Sequence, residues 1–333
     1  MYELLGICLM LATLLVVNAF TSMLMAGFAR LFERPLQKLA AHIRAEVLFA
    51  MRAGPTVIAI SLVGFLFIPA YLVHEPYKTT EIVSTKLGLL ALISATGLGF
   101  ALWRWFRSSY ATRSLLRAWL RDARPAKVEG ISIPTHCIRH RFPIIAVVGT
   151  IRPRLFIAEQ VLDSLTEEEL AASIAHEAGH VQARDNLKRS ALRVCRNALM
   201  MLPCGRSLDR AWADAAESSA DEYAVFQQPD TALNLASALV KIARMVPSGP
   251  RADVPLGAYL VGAEETSGVK ARVRRLLEIA SSGPLVSRRR SFAGRLPGVG
   301  LALLIFLALT VPTNATLLMA AHTFIERAVR LLC

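Results

Sequence analysis

Residues 165–180 read Leu-Thr-Glu-Glu-Glu-Leu-Ala-Ala-Ser-Ile-Ala-His-Glu-Ala-Gly-His. The last five have the H-E-x-x-H spacing, in which two histidines four apart project from one face of a helix. Two neutral imidazoles so placed can hold one zinc ion about 2.0–2.1 Å from each nitrogen, with the glutamate between them pointing beside the metal toward a water. The spacing assigns His176 and His180 as Zn2+ ligands and Glu177 as the catalytic general base. Thr166, with Glu169 three residues later, forms a capping box that opens this helix. The alternative is a chance match on two helix-surface histidines. A capped, alanine-rich helix after strand-like runs, in a chain with seven histidines, favours the metal.

A catalytic zinc needs a third protein ligand and one position kept for water. Downstream, Glu217-Ser-Ser-Ala-Asp221 sets two carboxylates four apart on one helix face. Alone, that pattern is more often a solvated acidic stripe. Beside an H-E-x-x-H helix, the expectation is Glu217 as ligand and Asp221 as the carboxylate that orients a ligand histidine. Arg184 and Asp185 extend the histidine helix by a turn. Asp185 is a further orienting carboxylate and Arg184 a brace for the acidic pair, against the alternative of a plain charged helix end. Tyr223 reads as packing. His136 and His140 lie near a strand, where a spacing of four does not converge them, and read as ordinary polar residues.

Working outward, short β-branched runs at 131–133, 144–148 and 155–158, separated by Pro134, Pro143, Gly149 and Pro153, predict a small set of strands. Helices are expected at 186–202, stopped by Pro203 and Gly205, and at 208–227, 231–246 and 269–280.

The rest of the 333 residues has membrane character: 54% of the chain is hydrophobic, and 4–29, 53–73, 87–103 and 296–321 contain no charged side chain. A crossing helix needs about 20 apolar residues, so four spans are expected. The third is short and gains length from Lys86 at one end and Trp103 and Trp105 at the other; its alternative is a buried core helix. The first has no basic leader and too long an apolar stretch for a signal peptide. The net charge of +13 sits mainly in blocks at 30–52, 104–127 and 288–295, each beside a span. Basic loops stay in the cytoplasm, so four spans put both termini outside and residues 104–298 on the cytoplasmic side of the plasma membrane. Between the first two spans, 30–52 reads as an amphipathic helix lying on the inner membrane face. Juxtamembrane arginines match anionic lipid, and direct nucleic-acid binding is not expected. Cys8, Cys137, Cys195, Cys204 and Cys333 lack a Cys-x-x-Cys pair and imply no disulfide framework or thiolate zinc site.

The fold class expected is a mainly α membrane protein, with four transmembrane helices and a cytoplasmic α+β zincin-like metallopeptidase domain containing a small sheet. Its organisation is 1–127, three spans with a basic loop and a helical extension; 128–280, the peptidase domain; and 281–333, a linker, the fourth span and a short outer tail.

The stretch Val148-Gly-Thr-Ile-Arg-Pro-Arg-Leu155, the element Leu165-Thr-Glu-Glu-Glu-Leu170, Arg184-Asp-Asn-Leu187, the Glu217-x-x-x-Asp221 pair and Ala271-Arg-Val-Arg-Arg-Leu-Leu277 together resemble the membrane zinc peptidases of beta-lactam sensor-transducers, a group related to the membrane peptidases that trim prenylated proteins and clear damaged membrane proteins. The resemblance covers most of 128–280, and the spans match that family's four-span plan. It implies zinc-dependent cleavage of a protein or peptide substrate, with a transcriptional repressor as one candidate, and the lipid bilayer as partner. Those proteins carry a penicillin-binding domain beyond the last span. Here about a dozen residues follow it, so beta-lactam sensing is not expected. The competing reading is a non-catalytic transducer or scaffold with a structural zinc; a structural ion, however, has no use for Glu177. A soluble protease with an anchor, acting outside the cell, runs against the charge map.

Overall fold

The computed structural model describes residues 2–75, 83–128, 131–198, 205–227, 230–246, 266–282 and 306–332. Among them, three helices are long and apolar enough to cross a membrane: Tyr2–Leu31, Ala41–His74 and Thr85–Asp122. The first is α1, followed by the short α2 (Glu33–Gln37). The second comprises α3 (Ala41–Leu62), a π turn (Val63–Phe67) and α4 (Ile68–His74). Pro69 sits in the first turn of α4, directly after the π turn; having no N–H to donate, it fits where the hydrogen-bond ladder is already offset. The third is α5, 38 residues long and opened by Ser84, whose side chain accepts a hydrogen bond from Leu87 N at 3.2 Å.

The expected amphipathic helix at 30–52 is not a separate element on the membrane face. The chain breaks at 38–40, and Ala41 begins a helix that continues into the second apolar run. Its apolar residues have a protein partner instead. Ala45, Leu48 and Ala53 pack with Leu208, Trp212, Ala215 and Ala216 of α9 (Arg206–Gln227), and Arg52, 5% exposed, pairs with Asp209 at 2.8 Å. The fourth expected span is met only in part. Residues 283–305, which hold the basic block 288–295 and the start of that span, lie outside the described residues. Beyond them, helical residues 306–310 turn at 311–314, and α12 (Ala315–Leu332) starts anew with Asn314 Oδ1 accepting from Leu317 N at 3.1 Å. Pro312 cannot continue the helix and Asn314 caps the next one, so the run is interrupted despite having no charge.

The part that carries the candidate site is a four-stranded sheet with helices packed on it. Strands β1 (Arg124–Ala126), β2 (Thr135–Ile138), β3 (Ile145–Val148) and β4 (Arg154–Ala158) lie in the order β1-β2-β4-β3, parallel between β2 and β4 and antiparallel otherwise. The run 131–133 is not a strand; its neighbour 135–138 is, and β1 carries no β-branched signal. β3 and most of β4 are buried on both faces, which is why they read as unbroken apolar runs. Gly149 turns the chain between them at φ 109°, where a Cβ would lie 2.8 Å from the Arg152 carbonyl oxygen.

Among the described residues the helices that follow are α6 (Glu159–Ser164), α7 (Glu167–Ala183), α8 (Asp185–Ala198), α9 and α10 (Thr231–Met245); α11 (Thr266–Ser282) comes after 247–265, which lie outside the described residues. The capping box forms as read: Thr166 accepts from Glu169 N and Glu169 accepts from Thr166 N. Glu169 also accepts from Ser237 and Lys241 of α10, tying the start of α7 to that helix. The main core joins β3, β4, α7, α9 and α10 around Phe156, Ile157, Ile174, Leu235 and Leu239, and the far end of α5 packs on it through Leu116, Trp119 and Leu120. α5 therefore runs as one rod from the apolar helices to the sheet.

Candidate active site

Two helices build the cluster. α7 presents His176, Glu177 and His180, and α9 crosses it with Glu217 and Asp221. The crossing is close because position 179 is glycine: a Cβ there would meet Ala220 Cα at 3.0 Å and Tyr223 Cβ at 3.2 Å. Tyr223 thus lies at the helix contact.

Each imidazole is held by a carboxylate at Nδ1. His176 Nδ1 lies 2.9 Å from Asp221 Oδ1, and His180 Nδ1 lies 2.7 Å from Asp185 Oδ2. A carboxylate at Nδ1 accepts a hydrogen bond from the ring N–H there and, in the neutral ring, leaves the Nε2 lone pair facing the other way. Both Nε2 atoms accordingly face each other, 3.2 Å apart, with Glu217 Oε2 at 3.6 Å from His176 and Oε1 at 3.7 Å from His180. With both rings neutral, the two Nε2 lone pairs beside a carboxylate make a place for a cation. Ligand atoms from these three residues lie within 4.8 Å of one another. Two zinc bonds of about 2.0–2.2 Å at a tetrahedral angle separate ligand atoms by about 3.4 Å. The donor set and spacing therefore fit a zinc-type ion.

Glu177 is 5% exposed and points at the edge strand, where its Oε2 accepts from Val147 N at 3.0 Å. Burial raises its pKa despite the nearby histidines, so the carboxylate holds a proton more readily than an exposed glutamate. Burial works the same way on Glu217 and Asp221 but is outweighed: His180, His176 and Arg272 hold Glu217 well below the usual range, and Arg272 and His176 hold Asp221 at about 2. His180 is pushed up to about 10, since Glu217 and Asp185 outweigh the effect of burial.

Asp185, first residue of α8, reaches back to His180 because α7 ends in a tight reversal at Arg184, whose φ of 55° is left-handed. Arg184 is exposed and serves as this C-cap. The guanidinium that braces the acidic pair is that of Arg272 on α11, 2.6 Å from Asp221 Oδ1 and 3.1 Å from Glu217 Oε2; Arg189 of α8 approaches Glu217 at 3.9 Å. Asn186 donates from Nδ2 to the Val147 and Gly149 carbonyls at 2.9 and 3.1 Å, fixing the edge strand beside Glu177. Arg272, Arg189, Asn186 and Gly179 have no role in the sequence analysis, although Arg272 and Asn186 lie within stretches that carry the family resemblance, and Gly179 stands out as a glycine inside a capped helix. His136 and His140 lie apart from the cluster, against Phe156 and Trp119.

The segment that builds this cluster matches a known family model. Residues 147–293 match Peptidase family M48. The matched segment begins at the edge strand and takes in all of the cluster, including Arg272. It supports a metallopeptidase function for a domain that covers under half of the chain. A comparison with curated proteins gave no match.

Proposed function

We propose that this chain is a membrane-embedded, zinc-dependent endopeptidase that cleaves a protein substrate on the cytoplasmic side of the plasma membrane, in regulated proteolysis. The observation that carries the reading is the convergence of Glu217, from a separate helix, on the two Nε2 atoms of His176 and His180, with Glu177 beside them. Three apolar helices and the basic blocks beside them support the membrane setting. The zinc ligands are His176, His180 and Glu217, with Asp221 and Asp185 orienting the histidines and Arg272 bracing Glu217 and Asp221.

Zinc, when bound, polarises the scissile carbonyl and acidifies the attacking water. Glu177 takes the proton from that water on the carboxylate oxygen not held by Val147 and passes it to the leaving amine. Its raised pKa suits both halves of that task, because a proton taken up must stay bound long enough to be delivered. Asp221 and Asp185 keep the histidines in one tautomer throughout. The edge strand β3 flanks the cluster, and an extended substrate segment can align there by strand addition.

Two experiments test the setting and substrate. A reporter fused after residue 280 should be active only in its cytoplasm-sensing form; activity of the outside-sensing form contradicts the sidedness. Proteins that accumulate in cells carrying Glu177→Gln should include the substrate, a transcriptional repressor being the candidate implied by the sensor-transducer resemblance.

A further inference from the structure

Where α4 ends, a second set of metal-ligating side chains comes together, far from the peptidase cluster. His74 is the last residue of α4 and Glu75 its C-cap, while His322 and Glu326 are one turn apart on α12. His74 and Arg52, which pairs with α9, lie on the same helical rod, roughly 33 Å apart at 1.5 Å per residue. The two elements meet because Leu318, Ala321 and Ile325 pack on the cluster that holds Val63, Phe67 and Ala70, with the Phe67 and Phe324 rings 6.0 Å apart. That packing sets the His74 and His322 rings 5.5 Å apart.

Around His322, Nδ1 is 3.8 Å from Glu75 Oε2 and Nε2 is 3.5 Å from Glu326 Oε1. These gaps are too long for hydrogen bonds. They do match the separation, about 3.4 Å, of two ligand atoms on one tetrahedral ion. The peptidase cluster shows the same signature, with histidine-to-carboxylate gaps of 3.6 and 3.7 Å. In addition, His74 Nε2 and His322 Nδ1 are both buried with no hydrogen-bond partner among the described residues. Buried polar atoms of this kind are usually completed by an ordered water or a bound ion, and here two imidazole nitrogens stand beside a carboxylate.

We propose that His74, His322 and Glu75 form a second site for a divalent transition-metal ion, with Glu326 at its rim. Imidazole, imidazole and carboxylate repeat the donor set of His176, His180 and Glu217, and this set favours zinc-class ions over magnesium or calcium. The trio is less converged than the peptidase ligands, which already lie within 4.8 Å of one another. His322 shows its two nitrogens to different carboxylates, so the ion takes the buried Nδ1 beside Glu75 and closes the site by drawing in His74. Glu326, 46% exposed, marks the way in from solvent. An ion there staples α4 to α12 at the end of the bundle remote from the peptidase cluster, and makes that end responsive to metal.

The test uses the full chain, purified in detergent, stripped with EDTA and titrated with ZnCl2 by calorimetry, with metal content measured after dialysis. Wild type should bind two zinc ions. His322→Gln and His74→Gln should each keep one, His180→Gln should keep one, and the His180→Gln, His322→Gln double variant none. Two ions retained in His322→Gln overturn the second site. One ion in wild type, lost only in His180→Gln, overturns it while leaving the peptidase metal intact; one ion lost only in His322→Gln does the reverse. Should His322→Gln unfold and lose both, Glu75→Gln decides: a tenfold or greater weakening of one ion with the other unchanged supports the site, and no change overturns it.

Discussion

Arg272 on α11 grips Asp221 on α9 through two parallel hydrogen bonds, Nη2 to Oδ1 at 2.6 Å and Nε to Oδ2 at 3.0 Å. Asp221 is 1% exposed and in turn holds His176, so a residue far along the chain fixes the first of the proposed ligand histidines. Removing one partner of a buried charge pair costs about 3–5 kcal/mol, and losing support for a metal ligand lowers metal affinity roughly 10–100-fold. Arg272→Ala should do both. Arg272→Lys should recover little, because an ammonium cannot reproduce the fork. Thermal unfolding with zinc titration checks this; an Arg272→Lys variant with wild-type zinc affinity contradicts the bracing role.

Gly179→Ala sets two effects against each other. An alanine in a helix interior gains about 1 kcal/mol over glycine. Against that, the added methyl lands 3.0 Å from Ala220 Cα, a backbone atom that cannot swing aside, and overpacking of this kind costs about 1–3 kcal/mol. The clash should win. The expected result is a lower unfolding temperature together with weaker zinc binding, since α9 must back away and carry Glu217 with it. A more stable variant with unchanged zinc affinity contradicts the close crossing.

His180 makes metal uptake pH-dependent. Burial lowers its pKa, but Glu217 and Asp185 prevail and raise it from 6.5 to about 10 in the metal-free protein. A folded-state pKa above the unfolded one means that this pairing stabilises the metal-free fold fully below pH 6.5 and loses that contribution as pH rises through about 10. Metal ligands must be deprotonated, so zinc binding at pH 7 to 9 should expel a proton from His180 and tighten as pH rises. Calorimetry in buffers of different ionisation enthalpy measures the release, which Asp185→Asn should reduce. Proton-independent zinc binding across this range contradicts the assignment.

How far the sequence could be read follows from the range of the interactions involved. The α7 cap, the His176–His180 face and the Glu217–Asp221 pair are local patterns, each contained within a few helical turns, and all appear where periodicity puts them. The buried runs of β3 and β4 were equally plain. What escaped depends on contacts between distant segments. Arg272 looked like one more basic residue until α11 was placed against α9, and residues 41–52 looked interfacial because their apolar face gave no hint that α9 would cover it. Arg184 stood next to the right residues in sequence, but its left-handed backbone turns it into a cap and leaves the bracing to Arg272. Absence of charge alone suggested an unbroken run at 296–321, yet Pro312 and Asn314 divide its described part.

The measurement that bears most directly on the peptidase assignment pairs zinc content with peptide cleavage in wild type and Glu177→Gln. Glu177 lies beside the three proposed ligands without being one, and general acid–base help contributes roughly 10²–10⁴-fold. The variant should therefore keep the zinc held by His176, His180 and Glu217 and lose cleavage by about that factor. A Glu177→Gln protein that binds zinc and cleaves at the wild-type rate would contradict the role of Glu177 as proton carrier.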